Sequence, residues 1–462
     1  MFASLHLIGI FGRPMAKGWV KRWGPRGKGH QPSHIPALEV HPTSIDNEWV
    51  LPPSKSHLIR MLYLCALSNN KHTLHNFNDL GEDAESMMRC LTQLGATFNP
   101  LENGIEIEGC GIEGFQRSPS VLHAGNSGTA LRFLIGLTSR LKFLSMVDGD
   151  ATLRNRNHAD LLNAISPLGV NFSYGIEQER LPILVQGPWN GSEVHVDVSR
   201  SSQPYSSLLL ASCGLNEAIR IKTNGDAVSR RHAALTIDLM RESGATIEHQ
   251  SDATMVQPWT SKPPTNWNVP SDASMMAFPV LACILTKQSI HIKNPIEIEH
   301  SLGHEVMLDH LSAFGIHEKD GLLTYTGNFS PTEIDLRDAN DLLPPLSAIL
   351  ALTGGGRLFG ATHAQHKESN RIKSTAELLK SFGLKCTIEE DGLSIEGGQQ
   401  LVEPSEFIES YGDHRIQMTA ILLATQTGAS IEGPRLHRVA DPRFINRLST
   451  MPTEVLVKGI QR

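Results

Sequence analysis

The chain contains no Cys-x-x-Cys pair. Its six cysteines, at positions 65, 90, 110, 213, 283 and 386, are scattered along 462 residues. That spacing excludes a disulfide scaffold or a cysteine-held zinc and fits a reducing cytosol. Long apolar runs are missing too. The longest, such as Met275–Leu285, falls far short of the ~20 residues a membrane-spanning helix needs. The 39 glycines and 26 prolines form no tract, so a disordered chain is excluded. The first 38 residues hold no acid, only Arg13, Lys17, Lys21, Arg22, Arg26 and Lys28. Their apolar start, Phe2–Phe11, has no basic segment before it and no small-residue cleavage site, which argues against a secretory leader. Residues 1–36 read as a disordered basic extension. With six of the 41 basic residues confined there, the formal charge of −7 hides a body at −13. An acidic body disfavours nucleic acid as a partner. Basic residues inside it need a local purpose.

What is present is an ordinary globular composition, 40% hydrophobic and 19% charged, with a length suited to two or three domains. An internal repeat organises it. Five segments (87–98, 161–172, 236–247, 307–318 and 376–387) each read as an amphipathic helix, a glycine and a strand. The glycines, at 95, 169, 244, 315 and 383, lie 74, 75, 71 and 68 residues apart. A glycine just past a helix end adopts the left-handed conformation that stops it. Asn103-Gly104, Asp320-Gly321 and Asp391-Gly392 then signal hairpins. A period near 70 residues is too long for a solenoid and suits a duplicated βαβαββ unit. Five copies fit. A sixth can be split across the ends, with its strand from 37–45 and its helix from 444–451.

Chemistry-bearing motifs sit at expected helix starts. Leu51-Pro-Pro-Ser-Lys-Ser-His-Leu-Ile-Arg60 offers Ser54 or Ser56 as N-cap and Lys55 as a cation beside free N–H groups, a frame for phosphate or carboxylate. It is not a Walker A loop. Ala124-Gly-Asn-Ser-Gly-Thr-Ala-Leu-Arg132 is a second such start, with Gly128 allowing close approach to the backbone. Arg154 and Arg156, two apart, share one face if the segment is extended. Ser199-Arg-Ser-Ser-Gln-Pro-Tyr205 brings neutral donors. His366-Lys-Glu-Ser-Asn-Arg371 and Tyr411-Gly-Asp-His-Arg415 each pack acid, base and guanidinium ahead of a helix. Ala339-Asn-Asp-Leu-Leu-Pro-Pro345 opens another. Taken singly, each is also compatible with a capped helix and a solvated charge. Taken together, they put Lys55, Arg60, Arg132, Arg154, Arg156, Lys367, Arg371 and Arg415 at repeat-equivalent places on an acidic body. If folding brings them to one cleft, it suits substrates carrying about six negative charges, two phosphates and two carboxylates. Asp341, Glu368 and Asp413 are the acids left for proton transfer.

From about residue 37 to the C-terminus the chain resembles the 5-enolpyruvylshikimate-3-phosphate synthases (3-phosphoshikimate 1-carboxyvinyltransferases). The resemblance rests on PPSKSHLIR, GNSGTALR, RNRN, SSQ, DAVSRRH, HKESNR and YGDHRIQM, in family order. It implies an α/β fold, a two-domain inside-out α/β barrel of six βαβαββ repeats joined by a two-stranded hinge. The crossings then fall near Leu51–Pro53 and Val269–Ser271. One domain comprises 37–52 with 270–462, the other 53–269. The implied reaction joins phosphoenolpyruvate to the 5-hydroxyl of shikimate 3-phosphate and releases phosphate, in the shikimate pathway to chorismate and the aromatic amino acids. It needs no cofactor and no metal, because protonating the vinyl carbon makes the enol ether electrophilic. The implied partners are these small molecules alone, with no nucleic acid and no membrane, for a cytoplasmic monomer.

The resemblance also assigns residues. Lys55 bridges both substrates. Ser56 and Arg60 take the shikimate carboxylate side, and Ser201, Ser202 and Ser229 its phosphate. Gln203 lies between the substrates. Gly128, Arg156, Arg371 and Arg415 form the phosphoenolpyruvate pocket, with Asn126 and Thr129 shaping its loop. Asp341 faces the 5-hydroxyl as candidate base. Lys367 and Glu368 lie near the reacting carbon, with Lys367 also on the shikimate side, and His414 donates or orients a proton. Four departures stand out. Asn157 replaces a proline, His232 a tyrosine and Asn370 an aspartate, and the family's late lysine is missing, with Arg438 one residue out of register. A sister transferase acting on UDP-N-acetylglucosamine would carry Lys-Asn at 55–56 and a reactive cysteine. Cys110, the nearest candidate, has no basic context. A catalytically dead anion-binding scaffold would have lost Lys55 or the acids.

Overall fold

In the computed structural model, residues 34–458 are described. They form six small sheets around six inner helices. The inner helices are Lys55–Ala66, Gly128–Thr138, Gln203–Ala211, Ala277–Thr286, Leu343–Leu352 and His414–Thr427. Segments such as AFPVLACILT and LPPLSAILAL are apolar on every face, so they can only be buried. Fully burying each Leu or Ile contributes about 1.5–3 kcal/mol. Gly136 sets how closely two of these helices approach. A Cβ there would stand 2.3 Å from Ser207 Oγ, so any side chain would force the 128–138 and 203–211 helices apart.

Each sheet repeats one pattern. A leading strand runs parallel to a second, which pairs antiparallel with the last strand of the unit, which pairs antiparallel with the third. Leu122–His123, Ser145–Asp148, Ile183–Gln186 and Asn171–Tyr174 lie in that order. So do Glu193–Asp197, Ile219–Asn224, Thr254–Val256 and Ile247–His249. Three units borrow strands across long stretches of chain. Asn266–Asn268 leads the sheet that begins with Lys71–His75, and Glu48–Trp49 leads the one with Ile290–Ile292. The sixth unit is split between the ends. Ala429–Glu432 pairs with His34–Val40, which pairs with Thr453–Lys458, and Ile408 bridges parallel to Ile431. The strand begins at His34, inside the stretch read as basic extension. Residues 1–33 lie outside the described residues.

All five expected stops are left-handed glycines: Gly95, Gly169, Gly244, Gly315 and Gly383, with φ of 118°, 82°, 94°, 70° and 76°. The fourth copy differs. Its expected α-helix is a 3-10 turn, His304–His310, tied by bonds such as Leu311 N–H to Leu308 O. The His310 ring is held 2.6 Å from the Thr332 hydroxyl, which anchors this tighter turn. Gly315 still closes the turn, its N–H donating to Ser312 O and the Ile316 N–H to Leu311 O, at the start of the strand Phe314–Lys319, where a Cβ would lie 2.7 Å from the Phe329 ring. The expected last helix is likewise a short 3-10 turn, Phe444–Arg447.

Two separate hydrophobic cores result. One draws on residues 58–269, the other on 38–51 and 275–448. The chain passes between them twice, side by side. Ser54 N–H donates to Pro270 O at 2.8 Å, and Asp272 N–H to Pro52 O at 2.9 Å. The Asn294 amide clamps Leu51 at both its N–H and its carbonyl.

Candidate active site

The parallel start of each unit aims its inner helix the same way, so helix N-termini from both halves face one another. Five of the six meet at a cleft of about 410 Å³. Of the sequence-derived candidates, Lys55, Ser56, Arg60, Gly128, Thr129 and Arg156 line it from one half. Ser201, Ser202, Gln203 and Ser229 line it from the same half, and Asp341, Lys367, Glu368 and His414 from the other.

Local structure leaves donors free there. Ser54 takes the N-cap position of its helix but makes no side-chain cap; its hydroxyl pairs with His57 Nδ1 at 2.9 Å. The first N–H groups therefore stay available to an anion. Gln203 is locked between two helix starts. Its Oε1 accepts from Arg132 Nη1 at 2.7 Å, and its amide donates to Thr129 Oγ1 at 2.9 Å. A Cβ on Gly128 would lie 3.0 Å from Arg132 Nη1 and 3.2 Å from Arg156 Nη1, so this wall is formed by guanidinium ends. Ser229 sits at φ 50°, ψ 44°, a left-handed position a serine rarely holds. Arg60 donates to Thr236 Oγ1, Ser56 O and His232 O, and its burial pushes its pKa down to about 9.

Arg371 and Arg415 do not line the cleft; they form the layer beneath it. Arg371 donates to Asp413 at 3.0 Å, Asp341 at 2.6 Å and Glu368 at 2.7 Å. Arg415 binds the Ser274 carbonyl and hydroxyl and reaches Asp341 at 3.4 Å. Asn126 is also outside the lining. Its amide is held by Asp150 and Thr152, which braces the loop. Arg154 turns away, correcting the expectation that it faces the same way as Arg156. The segment is a helical turn, Ala151–Arg154, rather than extended, and Arg154 forms a paired contact with Asp148. Arg156 keeps Nε and Nη2 without hydrogen-bond partners, with Glu368 3.8 Å away. Arg438 is exposed and is not part of the lining.

Cations set the electrostatics. Burial would raise the Asp341 carboxyl, but Arg415, Arg371, Lys55 and Lys367 hold it well below the usual carboxylate range. Glu368 is depressed in the same way, against its burial, chiefly by Arg371 and Arg156, with Lys55 adding to them. Burial, with Lys55 and Arg415 nearby, keeps His414 neutral, and neither ring nitrogen has a partner. Burial also lowers Lys367. Lys55 is the exception. Burial works against its charge, yet Asp83 Oδ2 at 3.4 Å, with Asp341 and Glu368, raises its pKa.

Asp83, Arg200, His304 and Asn340 also line the cleft, and sequence reasoning gave them no role there. Arg132 was counted among the cations but assigned no role. Arg200 and Asn340 lie within recognised motifs. Asp83 stands in the first turn of the Glu82–Leu94 helix, where an acid is already explained by the helix dipole. His304 carried no signal.

The sequence signature of the family EPSP synthase (3-phosphoshikimate 1-carboxyvinyltransferase) matches residues 41–448. Among relatives, the 3-phosphoshikimate 1-carboxyvinyltransferase of Methanothermobacter thermautotrophicus is 28% identical, over 86% of this chain and 94% of that one. The protein of that name from Methanocorpusculum labreanum is also 28% identical, over 87% and 96%. Among solved structures, an EPSP synthase from Acinetobacter baumannii superposes with a TM-score of 0.73 at 23% identity, covering 91% of this chain and all of that one. The enolpyruvyl transferase NikO from Streptomyces tendae gives 0.69 at 14%, covering 92% and all of that chain. At such identities the superpositions speak for the fold. The match of the family signature to most of the chain settles membership: the chain belongs to the EPSP synthase family.

Proposed function

We propose that this protein transfers the enolpyruvyl group of phosphoenolpyruvate to the 5-hydroxyl of shikimate 3-phosphate and releases phosphate, in the pathway to the aromatic amino acids. One observation carries the reading beyond family membership. A ring of cations and helix N-termini encloses two carboxylates, Asp341 and Glu368, in one cleft. Such a cleft binds polyanions and still has groups that can hold a proton.

In this reading Lys55, extended from the first helix start, takes charge from both substrates. Ser201, Ser202 and Ser229 hold the shikimate phosphate, while Ser56 and Arg60 hold its carboxylate side. Arg156 and the Gly128 helix start hold phosphoenolpyruvate, with Arg371 and Arg415 acting from beneath. A proton is added to the vinyl methylene, and the 5-hydroxyl oxygen bonds to the adjoining cationic carbon as its own proton passes to Asp341. The resulting tetrahedral ketal then loses a methyl proton as its phosphate C–O bond breaks. Glu368 and His414 stand ready for the carbon-bound proton. The low pKa of Glu368 in the substrate-free protein is consistent with this role. Each substrate anion that shares the charge of Arg156 or Arg371 lets the carboxyl rise toward a value at which it can carry a proton.

We assign the two cores to two domains, 37–52 with 270–462 and 53–269, hinged at the paired crossings. The cleft is built from one chain, so a monomer suffices, and six free cysteines suit the cytoplasm. Among the described residues no helix is long and apolar enough to cross a membrane. The test is phosphate release with both substrates, each omitted in turn. Release should require both; release with phosphoenolpyruvate alone would refute the transfer.

A further inference from the structure

A second cavity, about 600 Å³, opens between the halves next to the active-site cleft. The two share a wall. Arg200 and His366 line both. Ser201, Ser202 and Ser229 face the active site, while Ser199, Val228 and Arg230, one or two residues away on the same segments, face the second cavity.

This cavity is basic on an acidic protein. Arg200 and Arg230 enter from one half and Arg337 from the other. Among the described residues no carboxylate lies within ion-pair distance of the Arg230 guanidinium, whose own backbone N–H donates to Asp338 at 2.8 Å. Arg200 and Arg337 have only loose partners, Asp160 at 3.9 Å and Asp335 at 3.5 Å. Two acids line the cavity, Asp226 and Asp391, but Asp391 is engaged by the Gly360 N–H at 2.9 Å and by Arg357 at 3.5 Å. His363 supplies an independent sign. It lines the cavity with only 4% of its surface exposed, and its Nε2 has no hydrogen-bond partner. A buried imidazole nitrogen without a partner calls for a ligand or a water.

We propose that this cavity is an outer binding site for a phosphate dianion, where a phosphomonoester substrate is captured before it passes into the active site. Three guanidiniums from two halves recognise a phosphate by bidentate hydrogen bonds. Burial, with the nearby Lys367, holds the His363 ring neutral, its pKa lowered to about 3. Three cations in one concavity concentrate anions and speed association by roughly 10- to 1000-fold. The capture role rests on the reaction proposed above; the anion site does not.

The variant for the test is R230S/R337S, two exposed positions outside the catalytic cleft. Its kcat should equal that of the wild type, which also reports an intact fold. Inorganic phosphate is titrated calorimetrically into each protein carrying one equivalent of shikimate 3-phosphate, which fills the active site and leaves the outer site open. The variant should bind one equivalent fewer than the wild type, and equal stoichiometries overturn the site. If shikimate 3-phosphate fails to bind the protein, the proposed reaction falls, and the same one-equivalent difference is read without it. Stopped-flow association of shikimate 3-phosphate at low salt tests capture. The rate constant should fall about tenfold in the variant and lose most of its salt dependence. An unchanged rate refutes capture even where the phosphate count drops.

Discussion

Lys55 Nζ stands 3.4 Å from Asp83 Oδ2, and the two residues come from different helices of the same repeat unit. Asp83 is buried and has one oxygen with no partner. It keeps the lysine charged where burial would discharge it.

Asp83→Asn should therefore lower the pKa of Lys55. The cation is needed, so activity would fail at a lower pH than in the wild type. The alkaline limb of the kcat/KM profile should move to lower pH while the acid limb stays put. A profile with an unmoved alkaline limb would show that Lys55 does not depend on this partner.

Lys55→Met should reduce kcat by orders of magnitude with the thermal unfolding midpoint nearly kept. Removing a charge that touches developing negative charge in a closed site costs several kcal/mol, on the order of the ~3–4 kcal/mol of a lost oxyanion donor. Steady-state kinetics beside a melting curve decides it. A near-normal kcat would reduce the motif to a helix start.

Arg371→Leu would leave Asp413, Asp341 and Glu368 without their shared guanidinium. Breaking one side of a buried ion pair costs about 3–5 kcal/mol. The loss should depend on pH. Asp341 and Glu368 have folded pKa values below their unfolded ones. They stabilise the wild type above the ordinary carboxyl range, about pH 4, and that contribution fades as pH falls toward the depressed values. Urea unfolding at neutral pH and near pH 3 should thus show a larger gap between variant and wild type at neutral pH. A gap that is constant with pH would contradict the network.

Gly128→Ala adds a methyl about 3 Å from the Arg132 and Arg156 guanidiniums. Overpacking of this kind costs about 1–3 kcal/mol, or roughly ten- to a hundred-fold in affinity. KM for phosphoenolpyruvate should rise, while Kd for shikimate 3-phosphate barely moves, since the proposed reading seats that ligand on Ser201, Ser202 and Ser229. Equal weakening of both substrates would mean that Gly128 shapes the loop rather than one pocket.

Much of this was legible in the chain itself, because the signals are local. Gly95, Gly169, Gly244 and Gly383 end helices through their own backbone freedom, and Asp320-Gly321 turns a hairpin with both residues at positive φ. The motifs at 54–60, 124–132 and 411–415 lie at helix starts because serine, glycine and aspartate favour that position wherever it falls. The same local reading misjudged 307–318. There the expected α-helix is a 3-10 turn, although Gly315 still ends it at φ 70°; the bond from the His310 ring to Thr332, 22 residues on, is not readable from the neighbouring sequence.

The sequence by itself determined the repeat, the helix starts and the set of charges, since each follows from the preferences of a few neighbouring residues. Only the tertiary structure decided which charges face the cleft. Arg154 pairs with Asp148 and leaves, Arg371 and Arg415 drop beneath the carboxylates, and Asp83 arrives from another helix to hold Lys55. The reason is physical. A charge goes where its desolvation is best offset by partners; Asp148 is only six residues from Arg154, but Asp83 and Asp341 lie about 30 residues from Lys55 and Arg371, the cations they meet, brought near only when each half folds.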